Sequence, residues 1–450
     1  MYSIAVEDEK SCYRLSELAR MFLRPEEFSI AIGDCDSDAA YDLRIASRMD
    51  ALRQAQILYD FLSAETGRSL EWGVLTGVRP VKLLQELVAA ASATEAVRIL
   101  TEEYRVSENK ISLLMDVYRT QADVVYQPSP PSVGLYIGIP FCPSRCQYCS
   151  FPSNVYTQQG AERYLDALYK EMEAVHAILR GRGWNAESIY IGGGTPTSLS
   201  SEQFDDLLAH VSRAFLSQDT REFTVECGRP DTIDPFKLDA ILKHGGRRIS
   251  INPQSMKDET LVAIGRSHSA ADIGKAFEFA ASAGIRDINA DLIAGLPGES
   301  LSDFEESLER VLAFEPSNIT VHTLAVKRAS RLIEEDRDVS FRQADTASQM
   351  VALARKRLCS DGYRPYYLYR QKHMAGNMEN VGYAKPGAES LYNIRIMAED
   401  QSIIALGAGG ITKMYYPAEN RLERIPNVTN YEIYTERIDE MIRRKEAGII

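Results

Sequence analysis

The sequence predicts an α/β protein whose central part is built from repeated parallel strand–helix units. Three observations carry that prediction. Short apolar runs alternate six times with helical periods between residues 135 and 324. Each of the strands that can be resolved by alternation has one apolar and one polar face. The 450-residue length, with 45% hydrophobic and 26% charged residues, is globular and large enough for two or three domains without covalent staples.

In order, the predicted strands are Leu135–Ile139, Ser188–Ile191, Glu222–Cys227, Arg248–Asn252, Asp287–Ile293 and Asn318–Leu324. The helices between them run near Ala161–Leu179, Ser201–Leu216, Pro235–His244, Ala270–Ala283 and Leu301–Phe314. In the third strand Phe223 and Val225 oppose Thr224 and Glu226; in the fourth Ile249 and Ile251 oppose Ser250 and Asn252; in the fifth Ile288, Ala290 and Leu292 oppose Asn289 and Asp291. Parallel strands buried on both faces are normally apolar throughout. Polar groups repeated on one face therefore predict a lined cavity at the carboxyl ends of the strands. Six units are too few for an eight-unit barrel, so the residues allow a partial barrel or an open doubly wound sheet.

The stretch Gln127-Pro-Ser-Pro-Pro-Ser-Val-Gly134 carries three prolines in four positions and marks a boundary. Residues 1–126 before it are mainly helical in pattern, with amphipathic runs near Ala51–Ala64, Val81–Ala91 and Glu108–Val125 around the loop Gly73-Val-Leu-Thr-Gly-Val-Arg-Pro80. After about Arg331 the rhythm weakens to a helix near Ala344–Ser360, a Tyr-rich stretch and Gly-rich loops. The expected division is 1–130, 131–330 and 331–450.

A net charge of −13 argues against a phosphate-backbone grip, and so against a nucleic-acid partner. No apolar run reaches the ~18 residues of a membrane span. The first ten residues lack the basic and apolar regions of a secretory signal, so a cytoplasmic location with reduced thiols is expected.

Of seven cysteines, three crowd into Pro140-Phe-Cys-Pro-Ser-Arg-Cys-Gln-Tyr-Cys-Ser-Phe151, directly after the first strand of the repeat. A structural zinc site needs four closed ligands, and the nearest further donors in sequence are His176 and Cys227. A [4Fe–4S] cube held by three thiolates keeps one iron open, which is a functional arrangement. Zinc closed by a remote ligand such as Cys227 is the competing possibility.

The spacing Cys142-x3-Cys146-x2-Cys149, with Tyr148 before the last cysteine, resembles the radical S-adenosylmethionine (SAM) enzymes. The resemblance implies a [4Fe–4S] cluster on Cys142, Cys146 and Cys149. SAM would be chelated at the open iron and cleaved to a 5′-deoxyadenosyl radical. It also implies a partial (βα)6 TIM-type barrel, with a mainly helical N-terminal domain and a C-terminal α+β region. Gly192-Gly-Gly-Thr-Pro-Thr197 matches the segment that binds the SAM amino group, here Gly193, Gly194 and Thr195. Tyr136, Tyr148, Glu226, Gln254, Arg266, Asp291, Ala325 and Ile411 match further SAM-contacting positions, Glu226 suiting a ribose diol or ammonium and Arg266 a carboxylate.

Tyr136-Ile-Gly-Ile-Pro-Phe-Cys142, Asp291-Leu-Ile-Ala-Gly-Leu-Pro-Gly-Glu299 and Tyr383-Ala-Lys-Pro-Gly387 extend the resemblance to the oxygen-independent coproporphyrinogen III oxidase family over roughly residues 130–412. The N-terminal region and its Gly73–Pro80 loop look most like the HemZ-type branch, the coproporphyrinogen dehydrogenases. The implied activity is oxidative decarboxylation of two propionates of coproporphyrinogen III to vinyls, giving protoporphyrinogen IX in haem biosynthesis. A flavodoxin- or ferredoxin-type reductant and an electron acceptor are implied as partners. The four carboxylates of such a tetrapyrrole call for local cations. Arg145, Arg229, Lys327, Arg328, Arg364, Arg370 and Lys372 are the candidates, the last three beside Tyr363, Tyr366, Tyr367 and Tyr369. An ordinary strand with a Tyr-rich core face is the plainer expectation for that stretch.

Two departures keep a haem-binding chaperone of the HemW type, or another tetrapyrrole substrate, as alternatives. Cys149 is followed by Ser150 and Phe151, without the fourth cysteine of the oxidases. The segment Tyr392-Asn-Ile-Arg-Ile-Met397 also lacks the His and Trp of the chaperones' His-Asn-x-x-Tyr-Trp element.

Overall fold

The computed structural model describes residues 1–33, 41–77, 79–124, 132–149, 151, 153–325, 342–372 and 374–449. Cys35, Lys327, Arg328 and most of the proline-rich boundary lie outside them.

The N-terminal segment is helical, as expected, and also holds a small parallel sheet that its sequence does not announce. Strands β1 (Tyr2–Val6), β2 (Phe28–Ile32) and β3 (Leu43–Ile45) pair in the order β2-β1-β3. Helices α1 (Glu9–Ala19) and α2 (Ala51–Thr66) enclose a separate core of Ile4, Val6, Leu15, Leu18, Phe22, Leu58 and Leu62. Each strand has five residues or fewer, too short to establish alternation against helical patterns. Helices α3 (Pro80–Ala90), α4 (Ala93–Glu102) and α5 (Glu108–Val124) follow and pack on the larger core.

The central region realises the six predicted units: β4 (Ser132–Ile139), α6 (Gln158–Arg182), β7 (Asn185–Gly193), α7 (Ser201–Phe215), β8 (Glu222–Glu226), α8 (Pro235–Lys243), β9 (Arg248–Gln254), α9 (Asp258–Ala263), α10 (Ala270–Ala283), β10 (Asp287–Ala294), α11 (Leu301–Leu312) and β11 (Asn318–Thr323). The loop after β4 contains the two-residue strands β5 (Phe141–Cys142) and β6 (Asn154–Val155). The helices begin where their caps dictate. Ser200, Ser269 and Ser300 each accept the N3 amide, while the N3 side chain returns the bond to the cap residue. Such a cap contributes about 1 kcal/mol. Gly183 and Gly284 end α6 and α10 in the left-handed conformation. On α7 the residues Phe204, Leu207, Leu208, Val211 and Phe215 form one buried stripe against the sheet.

The strands β4, β7, β8, β9, β10 and β11 are neighbours in that order and all parallel. This is the partial (βα)6 arrangement; a doubly wound sheet would reverse its order partway. The C-terminal chain then extends both edges. Helix α12 (Ala344–Ser360) precedes β12 (Arg364–Tyr369) and β13 (Asn380–Ala384), which add antiparallel beyond β11. After α13 (Leu391–Ala398), β14 (Ile403–Leu406) pairs parallel with β4 and leads into the antiparallel β15 (Ile411–Tyr416) and β16 (Arg421–Pro426). Helices α14 (Tyr431–Glu436) and α15 (Ile438–Gly448) close the chain. The result is one 11-stranded sheet. None of the helices among the described residues is long and apolar enough to cross a membrane.

The N-terminal segment is fastened to this sheet by buried polar contacts. Glu379, 1% exposed, accepts from Trp72 Nε1 at 2.8 Å and from Lys110 Nζ at 2.7 Å. Lys110 Nζ also meets Glu71 at 2.9 Å, so two carboxylates hold this one buried ammonium. Arg370 donates to the Leu75 carbonyl at 2.6 Å and lies over the Trp72 ring.

Candidate active site

A cavity of about 650 Å³ opens at the carboxyl ends of the barrel strands. Every residue expected at the site lines it: Cys142, Cys146 and Cys149; Tyr136, Tyr148, Gly193, Gly194, Thr195, Glu226, Gln254, Arg266, Asp291, Ala325 and Ile411. These positions are scattered from Tyr136 to Ile411 in the sequence, and the fold brings them to one rim.

The cysteine loop is braced by the glycine turn after β7. Gly194 N donates to the Ile139 carbonyl at 2.8 Å and Thr195 N to that of Phe141 at 2.7 Å. A Cβ on Gly194 would lie 2.5 Å from the Phe141 oxygen and 3.0 Å from Cys142 Sγ, so glycine is required for the approach. Gly193 is at φ +110°, a left-handed value. Thr195 Oγ1 donates to Cys142 Sγ at 3.6 Å, and Arg229 Nη1 approaches Cys146 Sγ at 3.9 Å. Burial pushes the thiols of Cys142 and Cys149 up, against the Thr195 hydrogen bond to the first and the Phe151 amide to the second.

The three thiols face one cavity. Cys227, the possible remote fourth ligand, is wholly buried in the core with its Sγ toward the Val225 carbonyl. His176 is held at the Ala214 carbonyl. The donor set fits the open cube.

The strand ends supply the polar half of the cavity. Glu226 Oε1 accepts from Tyr190 OH at 2.6 Å. Burial raises its pKa to about 7, against the opposing Tyr190 hydrogen bond and with a further push from Asp291. Asp291 accepts from Asn289 Nδ2 at 2.7 Å and faces His322 Nε2 at 3.4 Å. Arg266 directs Nη1 to the carbonyls of Gly228 and Asn252 and Nη2 to Tyr148 OH. Its expected planar fork toward a carboxylate is thus occupied by protein acceptors, and Nε is the nitrogen left over. Arg266 Nε, Asn252 Oδ1 and Gln254 Oε1 are buried without hydrogen-bond partners. Gln254 is also held at φ +69°, uncommon for a residue with a side chain. Such unpaired groups are costly, and a ligand bearing ammonium, carboxylate and hydroxyl groups would satisfy them. The pocket therefore fits SAM.

The far wall comes from the C-terminal chain. Tyr190 and Tyr392 stack at 4.5 Å, with Tyr136 6.4 Å from each. Tyr367 and Tyr369 stack at 6.2 Å. A register irregularity between Pro365 and Tyr367 in β12 lets the adjacent Tyr366 and Tyr367 both line the cavity, against strict alternation. Tyr363 is instead a core residue bonded to the Pro316 carbonyl. Of the cations expected for the tetrapyrrole, Arg229 alone among the described residues reaches the cavity, and it is paired with Asp231. Arg145 and Arg364 do not line it; Arg370 and Lys372 are bonded to the N-terminal segment at Leu75 and at Tyr13 and Glu17. Arg248, Lys413, Tyr190 and Tyr392 line it without having been expected. Strand alternation could have found Arg248 and Tyr190; Tyr392 and Lys413 lie in segments without a local signal.

The profile of the Radical SAM superfamily matches residues 136–311. The chain is 39% identical over 396 residues to the oxygen-independent coproporphyrinogen-III oxidase-like protein HemZ of Bacillus subtilis (strain 168), covering 86% of this chain and 79% of that one. It is 32% identical over 278 residues to the heme chaperone HemW of the same organism, covering 61% and 69%. Among solved structures, coproporphyrinogen III oxidase (HemN) from Escherichia coli, a radical SAM enzyme, superposes with a TM-score of 0.56 at 22% identity over 72% of this chain and 73% of that one. At that identity the likeness concerns the fold.

Proposed function

The chain belongs to the radical SAM superfamily, among its oxygen-independent coproporphyrinogen-III oxidase-like members, and on that footing we propose that it decarboxylates two propionates of coproporphyrinogen III to vinyls, giving protoporphyrinogen IX. The superfamily uses a [4Fe–4S] cluster and SAM. When bound, they supply the abstraction of a hydrogen atom from an unactivated carbon. Each propionate then loses its β-hydrogen atom, CO2 and one further electron, so each vinyl requires one SAM, an external reductant and an electron acceptor.

In this reading Cys142, Cys146 and Cys149 hold three irons. Gly193, Gly194 and Thr195 offer backbone groups to the SAM amino end. Glu226 and Asp291 take its hydroxyl or ammonium groups, and Gln254, Asn252 and Arg266 Nε pair with what remains. Tyr148 steadies Arg266, while Tyr136, Ala325 and Ile411 pack against the cofactor. Residues 131–330 act as the barrel, 331–450 as the wall over the substrate and 1–130 as a further domain.

One observation carries the proposal: a three-thiol loop, the residues that hold unpaired polar atoms and an aromatic wall all line a single cavity large enough for cofactor and part of a macrocycle. The test is anaerobic turnover of the reconstituted protein with SAM, dithionite, coproporphyrinogen III and an electron acceptor, with product identification. Protoporphyrinogen is expected. SAM cleavage without a porphyrin product counts against it. Phe151, 63% exposed at the cavity beside Cys149, favours haem capture as the second reading. A saturable complex with micromolar haemin and a shifted Soret band, without turnover, would establish that instead.

A further inference from the structure

Among the described residues four lysine and arginine side chains line the cavity, and three are committed to protein acceptors. Arg229 is engaged by Asp231, Ser144 and Ser267, Arg248 by Asn318 and the Ala388 carbonyl, and Arg266 by two carbonyls and Tyr148. Lys413 on β15 is different. Its carboxylate partner is Glu399, at 3.6 Å. That same carboxylate also serves Arg79 at 2.8 Å, Lys82 at 3.5 Å and Arg424 at 3.7 Å.

Four cations therefore gather around one anion. Among the described residues none of the four has a second carboxylate partner. Arg79 Nε is buried without a hydrogen-bond partner. Glu399 occupies the left-handed conformation at φ +54°, where a side chain is disfavoured, as it caps α13. Burial, then the neighbouring Arg79, hold the Lys413 ammonium below its ordinary range. An added anion would offset the repulsion from Arg79 and favour the charged ammonium.

The position of the cluster gives the surplus charge a direction. Lys413 shares its wall with Ile396, Met397, Ile403, Ala405 and Ile411. Met397 also lines the small cleft that holds Arg79 and Lys82, so the cluster lies behind the cavity wall at Met397, with Lys413 as its member on the cavity side. An apolar wall ending at concentrated positive charge is complementary to a flat apolar ring bearing carboxylates.

We infer that this cluster receives a propionate carboxylate of the tetrapyrrole, Lys413 making the contact while Arg79, Lys82 and Arg424 concentrate the attracting potential. The inference rests on the tetrapyrrole reading of the cavity and deepens it. It also gives the N-terminal segment a part in substrate selection, because Arg79 and Lys82 stand at the start of α3.

The test compares binding of coproporphyrin III, as the free acid, with its neutral tetraamide to the full-length protein. Wild type should prefer the acid. Lys413→Gln should weaken acid binding about tenfold and change tetraamide binding less than about twofold, with Lys413→Arg keeping most of the acid affinity. Lys82→Gln lies off the cavity and should weaken acid binding by a smaller factor, which keeps the inference testable if Lys413→Gln folds poorly. Equal losses for acid and tetraamide would make Lys413 a packing residue and overturn the inference, as would unchanged acid binding, while the tetrapyrrole reading stands. Wild type that binds neither ligand would remove the tetrapyrrole reading itself, and the inference with it.

Discussion

The two sides of the cavity are made in different ways. The barrel side takes its residues from the cysteine loop, the glycine turn and the ends of successive parallel strands, each a short motif at a fixed place in a repeating unit. The C-terminal side takes Tyr366, Tyr367, Tyr369, Tyr392 and Lys413 from β12, the helix α13 and β15, the two strands lying towards opposite edges of the sheet. The first holds polar atoms without protein partners; the second is mainly aromatic and aliphatic, with Gln371, Asn380, Ser390 and Asn393 and the cation of Lys413 among them. The cysteine loop and glycine turn thus lie where local sequence dictates position, and the opposite wall where long-range pairing does.

The largest expected effect lies on the barrel side. Cys146→Ser should reduce both the iron–sulfur absorption of reconstituted protein and SAM cleavage to background. Retention of a normal cluster would break the comparison, because the loop would no longer be the site of the chemistry.

Gly194→Ala tests whether the glycine turn sets the cysteine loop. Its Cβ must displace the Phe141 carbonyl or Cys142 Sγ, at about 1–3 kcal/mol. Lowered iron content and a lowered melting temperature are expected together. A variant with full iron content would show that the loop holds its form without the turn.

Glu226→Gln addresses the strand ends. Below about pH 4.5 the carboxyl is protonated in folded and unfolded chains alike. Between there and its raised value of about 7 the folded protein binds the extra proton, so stability falls as pH rises. The whole fall is at most about 3 kcal/mol. The variant should lack it, and melting of the cofactor-free proteins from pH 5 to 8 should show the two curves diverging toward the alkaline end. Parallel curves would mean that Glu226 titrates normally.

On the opposite wall, Tyr369→Leu removes a ring stacked on Tyr367 and a contact to His322 at 3.4 Å. A loss of about 0.5–1.5 kcal/mol in tetrapyrrole binding is expected, read as a KM raised up to about tenfold. An effect on the cluster absorption instead would merge the two walls into one functional unit.

The six repeating units were legible because parallel strands under a helical layer must show one apolar face, and their polar faces then named Glu226, Ser250, Asn252, Asn289 and Asp291. The cysteine loop and the glycine turn were legible because their spacing is local. The three-stranded N-terminal sheet was not, since strands as short as Leu43–Ile45 carry too few residues for a period. The expected basic patch around Arg370 and Lys372 failed for another reason: a charge run in sequence says nothing of which face will be covered, and the N-terminal segment claims both side chains.

What the sequence by itself determined is therefore the six strand–helix units, their polar faces and the cysteine spacing of one loop. Only the tertiary structure decided that the last third of the chain would extend both edges of the same sheet and that Lys413 would meet Arg79 and Lys82. Edge pairing is made by backbone hydrogen bonds common to all residues, and cation clusters form between segments hundreds of positions apart, so neither leaves a local pattern to be read.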